Sequence, residues 1–325
     1  MMMRMIGDRA VGAVGLGCMS FGGIYGATEI DASFACLDEA VRLGVTHLDV
    51  AEIYGGGRCE EIMGRYLNGR PGPFVIATKA GIYTQPTRHI RNDASSLRRS
   101  LEGSLMRLGL DRVDVFYLHR RTPSVPLPDV IETLAGFIEE GLIGGYGLSE
   151  VAPATIREAH AIHPVTAVQS EYSLWTRLPE LGVLRTCRDL GIAFVPFSPV
   201  GRGILADRFP DPAAFPPEDF RRGNPRFEEP NYSRNKAVIA SFQAFCHARG
   251  WSTSAAAIAW LLDRGDHIIP VPGTRTAAHL RELWSATEIA FTDDDRIEID
   301  RLLPPGFAHG ARYTEAQGAA SEDYC

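Results

Sequence analysis

Short β-branched or aromatic runs recur eight times along the chain: Val14–Gly17, Thr46–Val50, Phe74–Thr78, Val113–Leu118, Gly144–Leu148, Ala167–Ser170, Ala193–Phe197 and His267–Val271. Most are separated by segments long enough for a helix that crosses over to the next parallel strand. Rim positions at or beside the run ends, from Asp49 through Lys79, His119, Ser149 and Gln169 to Phe197, lie 20 to 40 residues apart. That spacing suits βα units, whose parallel strands need connections of about a dozen residues or more. Eight such units predict an α/β fold, a closed (β/α)8 barrel rather than an open doubly wound sheet. An open sheet would favour a glycine-rich turn after its first strand. Gly15-Leu16-Gly17-Cys18-Met19-Ser20 lacks the third glycine of the dinucleotide-binding fingerprint. The expectation is one barrel domain over residues 1–325, with extra helices and a long loop after strand seven.

Helix boundaries are well marked. Asp31 is a candidate cap for a helix through Phe34, Leu37 and Val41. Asp93 is another, for a helix carrying Leu97, Leu101, Leu105 and Leu108 on one face. Gly44, Gly109, Gly141 and Gly191 fall where helices should stop. The interval from Phe197 to Val271 is longer than the others. It holds a Pro- and Arg-rich loop, Phe209–Tyr232, and a helical stretch, Ser233–Arg249. Loops of that length are commonly lids or binding segments. Over the C-terminal rim of a barrel this one would cover a cofactor.

Bulk properties exclude several classes. A net charge of −7 offers no basic stripe for nucleic acid. No stretch approaches the roughly 18 apolar residues of a membrane span. Met1 to Ile6 is too short, and too soon broken by Gly7-Asp8, for a signal peptide. The six cysteines form no CxxC pair, so neither zinc nor a disulfide framework is signalled, and they read as buried apolar fillers. No metal is expected, and a reducing cytoplasm is the expected location.

The chemistry sits at the run ends. Asp49 closes one run and Tyr54 follows it by five residues; Lys79 closes a second and His119 a third. In a parallel barrel these ends converge on the rim where barrel chemistry is done. Each residue alone has a plainer reading: a loop or cap aspartate, a solvated lysine, a hydrogen-bonded structural histidine. Four such accidents at matched strand ends are improbable together. A phenol has an ordinary pKa of about 10. Lys79 is expected to favour the phenolate and lower that value, with Asp49 holding the lysine charged. His119 would give a second hydrogen bond to a reacting carbonyl oxygen. A hydride must come from a cofactor, because no side chain donates one.

These residues closely resemble those of the aldo-keto reductase family over nearly the whole chain. Asp49, Tyr54, Lys79 and His119 match the family's catalytic tetrad. Gly147-Leu148-Ser149-Glu150, Val168-Gln169-Ser170-Glu171-Tyr172, Phe197-Ser198-Pro199-Val200-Gly201-Arg202-Gly203 and Pro272-Gly273-Thr274-Arg275 follow its cofactor-binding order. Phe220-Arg221-Arg222 and Pro225-Arg226-Phe227 resemble the long-loop bacterial and plant subgroup that acts on aldehydes and sugars. The resemblance implies NADPH/NADP+ as cofactor and a small carbonyl compound (a sugar, pyridoxal-like or other) as partner, with no nucleic acid or membrane. It implies cofactor contacts from Gly17, Met19, Asp49, Ser149, Gln169, Phe197, Ser198, Pro199, Val200, Gly201, Gly203, Gly273, Thr274, Arg275, His279 and Glu282. Phe197 would stack on the nicotinamide. Tyr25, Tyr54, His119 and Trp175 are the candidate substrate residues; Tyr25 and Trp175 could equally pack loops. Two departures stand out: Val50 replaces the threonine usual after the aspartate, and Leu283 replaces the asparagine of the usual adenine-gripping Glu-Asn pair.

The reading is an NADPH-dependent reductase of aldehydes or ketones. Arg275, before a helix beginning near Thr276, suits the 2′-phosphate that distinguishes NADP from NAD. Other classes remain open: a nucleotide-holding redox-sensing subunit with slow turnover, or a barrel that dehydrates or epimerises sugars. A metal-dependent hydrolase is disfavoured by the absence of ligand spacing such as HxH.

Overall fold

The computed structural model describes residues 2–324 other than positions 71, 218 and 319. The chain opens with a hairpin, β1 (Met3–Ile6) and β2 (Arg9–Gly12), which the sequence reading missed. Seven parallel strands follow, in sequence order around the sheet: β3 (Leu16–Gly17), β4 (His47–Asp49), β5 (Val75–Ala80), β8 (Val113–Leu118), β9 (Ile143–Ser149), β10 (Ala167–Glu171) and β11 (Ala193–Phe197). A small hairpin, β6 (Ile82–Tyr83) with β7 (His89–Ile90), sits between the third and fourth of them.

The eighth stave differs from its expected form. Residues 267–273 make only isolated bridges, Phe194 to Ile268 on one side and Gly17 to Gly273 on the other. The cause is in the sequence. Pro270 and Pro272 have no N–H to donate. Their carbonyls accept from Gly15 and Gly17 at 2.9 Å each, while the amides of Ile269 and Val271 donate to Phe194 and Pro196 at 2.8 and 3.0 Å. The stave bonds both neighbours and closes the barrel, with no regular ladder.

Helices α1 (Ile30–Leu43), α2 (Arg58–Leu67), α3 (Ala94–Leu108), α4 (Leu127–Glu139), α5 (Pro153–Ile162) and α6 (Val183–Asp189) alternate with the strands. The Asp93 carboxylate caps α3 by accepting from Ser96 N. Asp31 does not cap α1. The helix starts earlier, with Glu29 at the cap and Asp31 in its first turn, where an acid suits the helix dipole. Gly44, Gly109, Gly141 and Gly191 all adopt positive φ after their helices. After β11 come the long loop, α7 (Asn231–Ala248) and α8 (Thr253–Leu262); α7 begins two residues before the expected Ser233. Then follow α9 (Ala277–Trp284), α10 (Asp293–Leu302) and the one-turn α11 (Glu315–Gly318).

Side-chain alternation separates two cores. Leu48, Val50, Phe116 and Val168 pack against the helices in the larger one. Val75, Ala77, Val115, Tyr117, Ala167, Val195 and Ile269 fill the barrel interior. Ile6 and Val11 of the N-terminal hairpin join that inner cluster, so the hairpin plugs the N-terminal mouth. Chemistry is left to the other end. The five described cysteines are buried and free; Cys325 lies outside the described residues. No described helix is long and apolar enough to cross a membrane.

Candidate active site

The alternation that puts Val75 and Ala77 inside the barrel also puts Lys79 there, fully buried one turn of the pleat above. Asp49 is 3% exposed and ends β4, beside β5. Lys79 Nζ donates to Asp49 Oδ1, to the Val50 carbonyl at 2.9 Å and to Tyr54 Oη at 3.1 Å. All three ammonium hydrogens are thereby used. Val50 itself faces the helix layer, so the departure there leaves the site's chemistry intact. Gln169, expected as a cofactor contact, donates to Asp49 Oδ2 at 2.8 Å.

Tyr54 sits on the loop after β4. That loop touches the one after β3 backbone to backbone: a Cβ on Gly22 would lie 2.7 Å from the Tyr54 carbonyl carbon. His119 follows β8, its amide bonded to the Ala80 carbonyl at 2.8 Å. Its ring stands edge-on to Tyr54, centroids 6.0 Å apart. The four candidate catalytic residues therefore meet as expected.

Their electrostatics correct one expectation. Burial pushes the Tyr54 phenol above its ordinary pKa; Lys79 pulls the other way but does not outweigh it. The phenol is held neutral, which is the form that donates a proton. Burial alone would depress Lys79, but Asp49 and Tyr54 together raise it. Burial, then the nearby Arg120, Lys79 and Arg88 cations, hold His119 well below its usual value. A neutral imidazole can donate one hydrogen bond without carrying charge.

The candidate cofactor residues fall in two groups along the same rim. Ser149 ends β9 and accepts from Arg120 at 3.0 Å. Phe197 ends β11, half-buried against the inner core. Ser198, Pro199, Val200, Gly201 and Gly203 form the turn that follows. Val200 has φ −101° and Gly201 φ 58°, with positive φ also at Ser198, Arg202 and Gly203. Val200 and Gly201 make the right-then-left pair that can curl N–H groups toward an anion, while the Gly201 and Gly203 amides bond within the turn, to the Ser198 and Val200 carbonyls at 2.9 and 3.0 Å. Trp175 lies beneath it: a Cβ on Gly201 would come 2.6 Å from the Trp175 ring, which also packs edge-on against Phe227 at 5.5 Å. Tyr25 lies half-buried with the Arg221 guanidinium 5.1 Å from its ring.

The second group gathers at the seam. Gly17 bridges Gly273, and Ser20 Oγ donates to the Thr274 carbonyl at 2.9 Å, which holds the loop of half-buried Met19 against it. Thr276 caps α9 by accepting from the His279 amide. The His279 residue is exposed. Arg275 donates to the carbonyls of Gly26 and Ala27 at 3.3 and 3.2 Å through one nitrogen. Glu282 accepts from Ser254 Oγ. Leu283 is buried in the outer core; the position holds a packing residue with no polar group to offer an adenine.

Sequence reasoning named Glu150, Glu171 and Arg202 only within the stretches that follow the cofactor-binding order, and Arg120 and Arg312 not at all. Glu150 and Glu171 were each two residues or fewer from an assigned position. Arg312 carried no local signal. Among the described residues, no cluster of three His, Cys, Asp or Glu is placed to hold a metal.

The family model for the aldo/keto reductase family matches residues 13–304. The chain is 36% identical over 324 residues to aldo-keto reductase yakc [NADP(+)] of Schizosaccharomyces pombe, covering 97% of this chain and 95% of that one. It is 34% identical over 307 residues to probable aldo-keto reductase 1 of Glycine max, covering 93% and 88%. Among solved structures, glycerol dehydrogenase AKR11B4 from Gluconobacter oxydans superposes with a TM-score of 0.84 at 25% identity, over 93% of this chain and 95% of that one. With the tetrad assembled on a closed barrel and these matches spanning nearly its whole length, the chain belongs to the aldo/keto reductase family.

Proposed function

We propose that this enzyme reduces an aldehyde or ketone to the alcohol with NADPH, the proton coming from Tyr54. The observation that carries the reading is the buried line Asp49–Lys79–Tyr54, with Lys79 Nζ 3.1 Å from the phenol oxygen. Bound NADPH would supply the hydride. Negative charge would then develop on the carbonyl oxygen, for Tyr54 to protonate. Lys79 stabilises the phenolate left behind, and Asp49 keeps Lys79 charged and aimed. His119, neutral, donates a hydrogen bond to the same oxygen, a contact that strengthens as charge develops.

The turn from Ser198 to Gly203 would hold the pyrophosphate and Phe197 would flank the nicotinamide. Arg275 and Thr274 would meet the 2′-phosphate. The name of the yeast relative carries NADP(+), which supports the same cofactor here.

The test is consumption of NADPH with a panel of aldoses, aromatic aldehydes, pyridoxal and polyketide-like ketones, read by the absorbance of the reduced nicotinamide. Turnover with at least one class is expected. NADPH binding with no oxidation by any carbonyl would favour a nucleotide-holding sensor. Conversion of a sugar without net NADPH oxidation would favour an epimerase or dehydratase.

A further inference from the structure

Three described residues other than glycine have positive φ: Glu150 (57°), Ser198 (51°) and Arg202 (59°). This is a conformation that L side chains avoid and that persists only where the surroundings impose it. All three lie on the rim, and two of them belong to one network of four charges. Glu150 follows β9, Glu171 ends β10, Arg202 lies within the turn after β11, and Arg312 comes from the C-terminal segment beyond α10.

The connections run through Arg312. Its guanidinium pairs with Glu150 through Nη2, and its Nη1 lies 3.6 Å from Glu171 Oε2. Arg202 Nη2 donates to that same Glu171 oxygen at 2.9 Å, and its Nη1 donates to the Arg312 carbonyl, also at 2.9 Å. Asn224 Nδ2, from the long loop, reaches the same carbonyl at 2.9 Å. The two carboxylates and Arg202 are buried, and the charges balance two against two. Among the described residues, Arg312 is the one cation within ion-pair distance of Glu150.

We propose that Arg312 is a positioning residue for NADPH: through Glu150, Glu171 and Arg202 it fixes the turn from Ser198 to Gly203 in its phosphate-binding shape. The inference rests on the proposed reading of that turn as the pyrophosphate cradle. Arg202 points its guanidinium inward to Glu171, so the backbone of the turn, not that side chain, faces the ligand. Without Arg312, Glu150 loses its ion-pair partner and keeps only the more distant Arg120, while Glu171 keeps Arg202 and the more distant Arg226. A buried carboxylate stripped of its direct partner favours rearrangement, and the strained Arg202 backbone, bonded to the Arg312 carbonyl, loses a reason to stay where it is. Preorganisation of the turn is then lost before the cofactor arrives.

The experiment measures NADPH dissociation constants and release rates, with kcat at saturating NADPH, for the wild type, Arg312→Met, Arg312→Lys and Glu322→Gln. Glu322 ties the same tail elsewhere, to Arg121 at 3.0 Å and to the Ala152 amide at 2.8 Å. Arg312→Met is expected to raise the dissociation constant by about tenfold or more, mostly through faster release, with kcat changed by less than about threefold. Arg312→Lys keeps one charge and should fall between; it carries the test if the methionine variant does not fold. Glu322→Gln should leave affinity near wild type. Wild-type affinity in both Arg312 variants would overturn the assignment, as would an equal loss in Glu322→Gln, which would mean general loosening of the tail. A wild-type protein that does not bind NADPH would instead remove the cofactor reading itself.

Discussion

Gln169 donates to the Oδ2 oxygen of Asp49 at 2.8 Å, leaving Oδ1 to Lys79. Each oxygen of this buried carboxylate has its own partner, one from the adjacent strand β5 and one from β10, farther around the barrel. The aspartate therefore cannot swing away from the lysine without breaking a second bond. Gln169, read from the sequence as a cofactor contact, is in the fold the brace of the Asp49 carboxylate.

That brace bears on the pH behaviour of the phenol. Lys79 is a large influence opposing the burial that raises the Tyr54 pKa. Lys79→Met should raise it further. Oxidation of the alcohol needs the phenolate, so its pH–rate limb should move to higher pH. Asp49→Asn removes a carboxylate that itself raises the phenol, so its limb should lie at lower pH than that of Lys79→Met, and the double variant should cost less than the sum of the two. Additive losses, or an unmoved limb, would show that the line Asp49–Lys79–Tyr54 does not act as a unit.

Tyr54→Phe removes the proposed proton donor and one acceptor of the buried Lys79 ammonium. Turnover should fall by about 10²-fold or more with NADPH affinity nearly unchanged. Steady-state rates and fluorescence titration of the cofactor together check this; more than about a tenth of wild-type kcat would assign the proton to another group.

Arg275 has one nitrogen occupied by loop carbonyls, which leaves the rest of its fork for a 2′-phosphate. NADPH should bind at least about tenfold more tightly than NADH, roughly 1.4 kcal/mol. Arg275→Ala should weaken NADPH far more than NADH. Equal dissociation constants for the two cofactors in the wild type would end the assignment.

Two buried histidines should shape acid stability. Burial depresses both His119 and His47 in the folded chain, whereas the unfolded chain protonates them near pH 6.5. Below that pH the unfolded state binds more protons, so stability should fall as pH falls through about 6.5 and downward. Urea midpoints between pH 7.5 and 5.5 would follow this. His47→Phe should flatten the slope, and an unchanged slope in that variant would exclude His47 as a contributor.

Gly147 leaves room for a neighbour. A Cβ there would overlap the Tyr117 ring and lie 2.9 Å from the Ala167 carbonyl. Gly147→Ala should destabilise the barrel by about 1–3 kcal/mol, visible as a lower denaturant midpoint; a neutral effect would mean that the Tyr117 ring moves aside freely.

The convergence of Asp49, Lys79 and His119 was legible because apolar runs that stop on Asp, Lys or His mark strand ends, with Tyr54 on the loop that follows the first. The eighth stave was legible as an apolar run, but Pro270 and Pro272 keep it from forming a ladder. The hairpin from Met3 to Gly12 was missed because its exposed methionines blur the alternation. The pairing of Arg312 with Glu150 spans 162 residues, and nothing local to either residue points to the other. Likewise, periodicity could not reveal that burial would outweigh Lys79 at Tyr54, since that depends on how completely the barrel excludes water.

The prolines of the eighth stave give the barrel a directional seam. On the side facing Gly15 and Gly17 that stave accepts hydrogen bonds through Pro270 and Pro272, whose own nitrogens have nothing to return. Each crossing there is held by half the reciprocity that a regular parallel ladder provides. Slow breathing of the cylinder should therefore begin along this line, where the Gly15 and Gly17 amides would exchange their hydrogens first among the staves. The same line runs up to Gly273 and Arg275, so an adenosine phosphate seated there would act as a clasp on the place where the cylinder parts most easily.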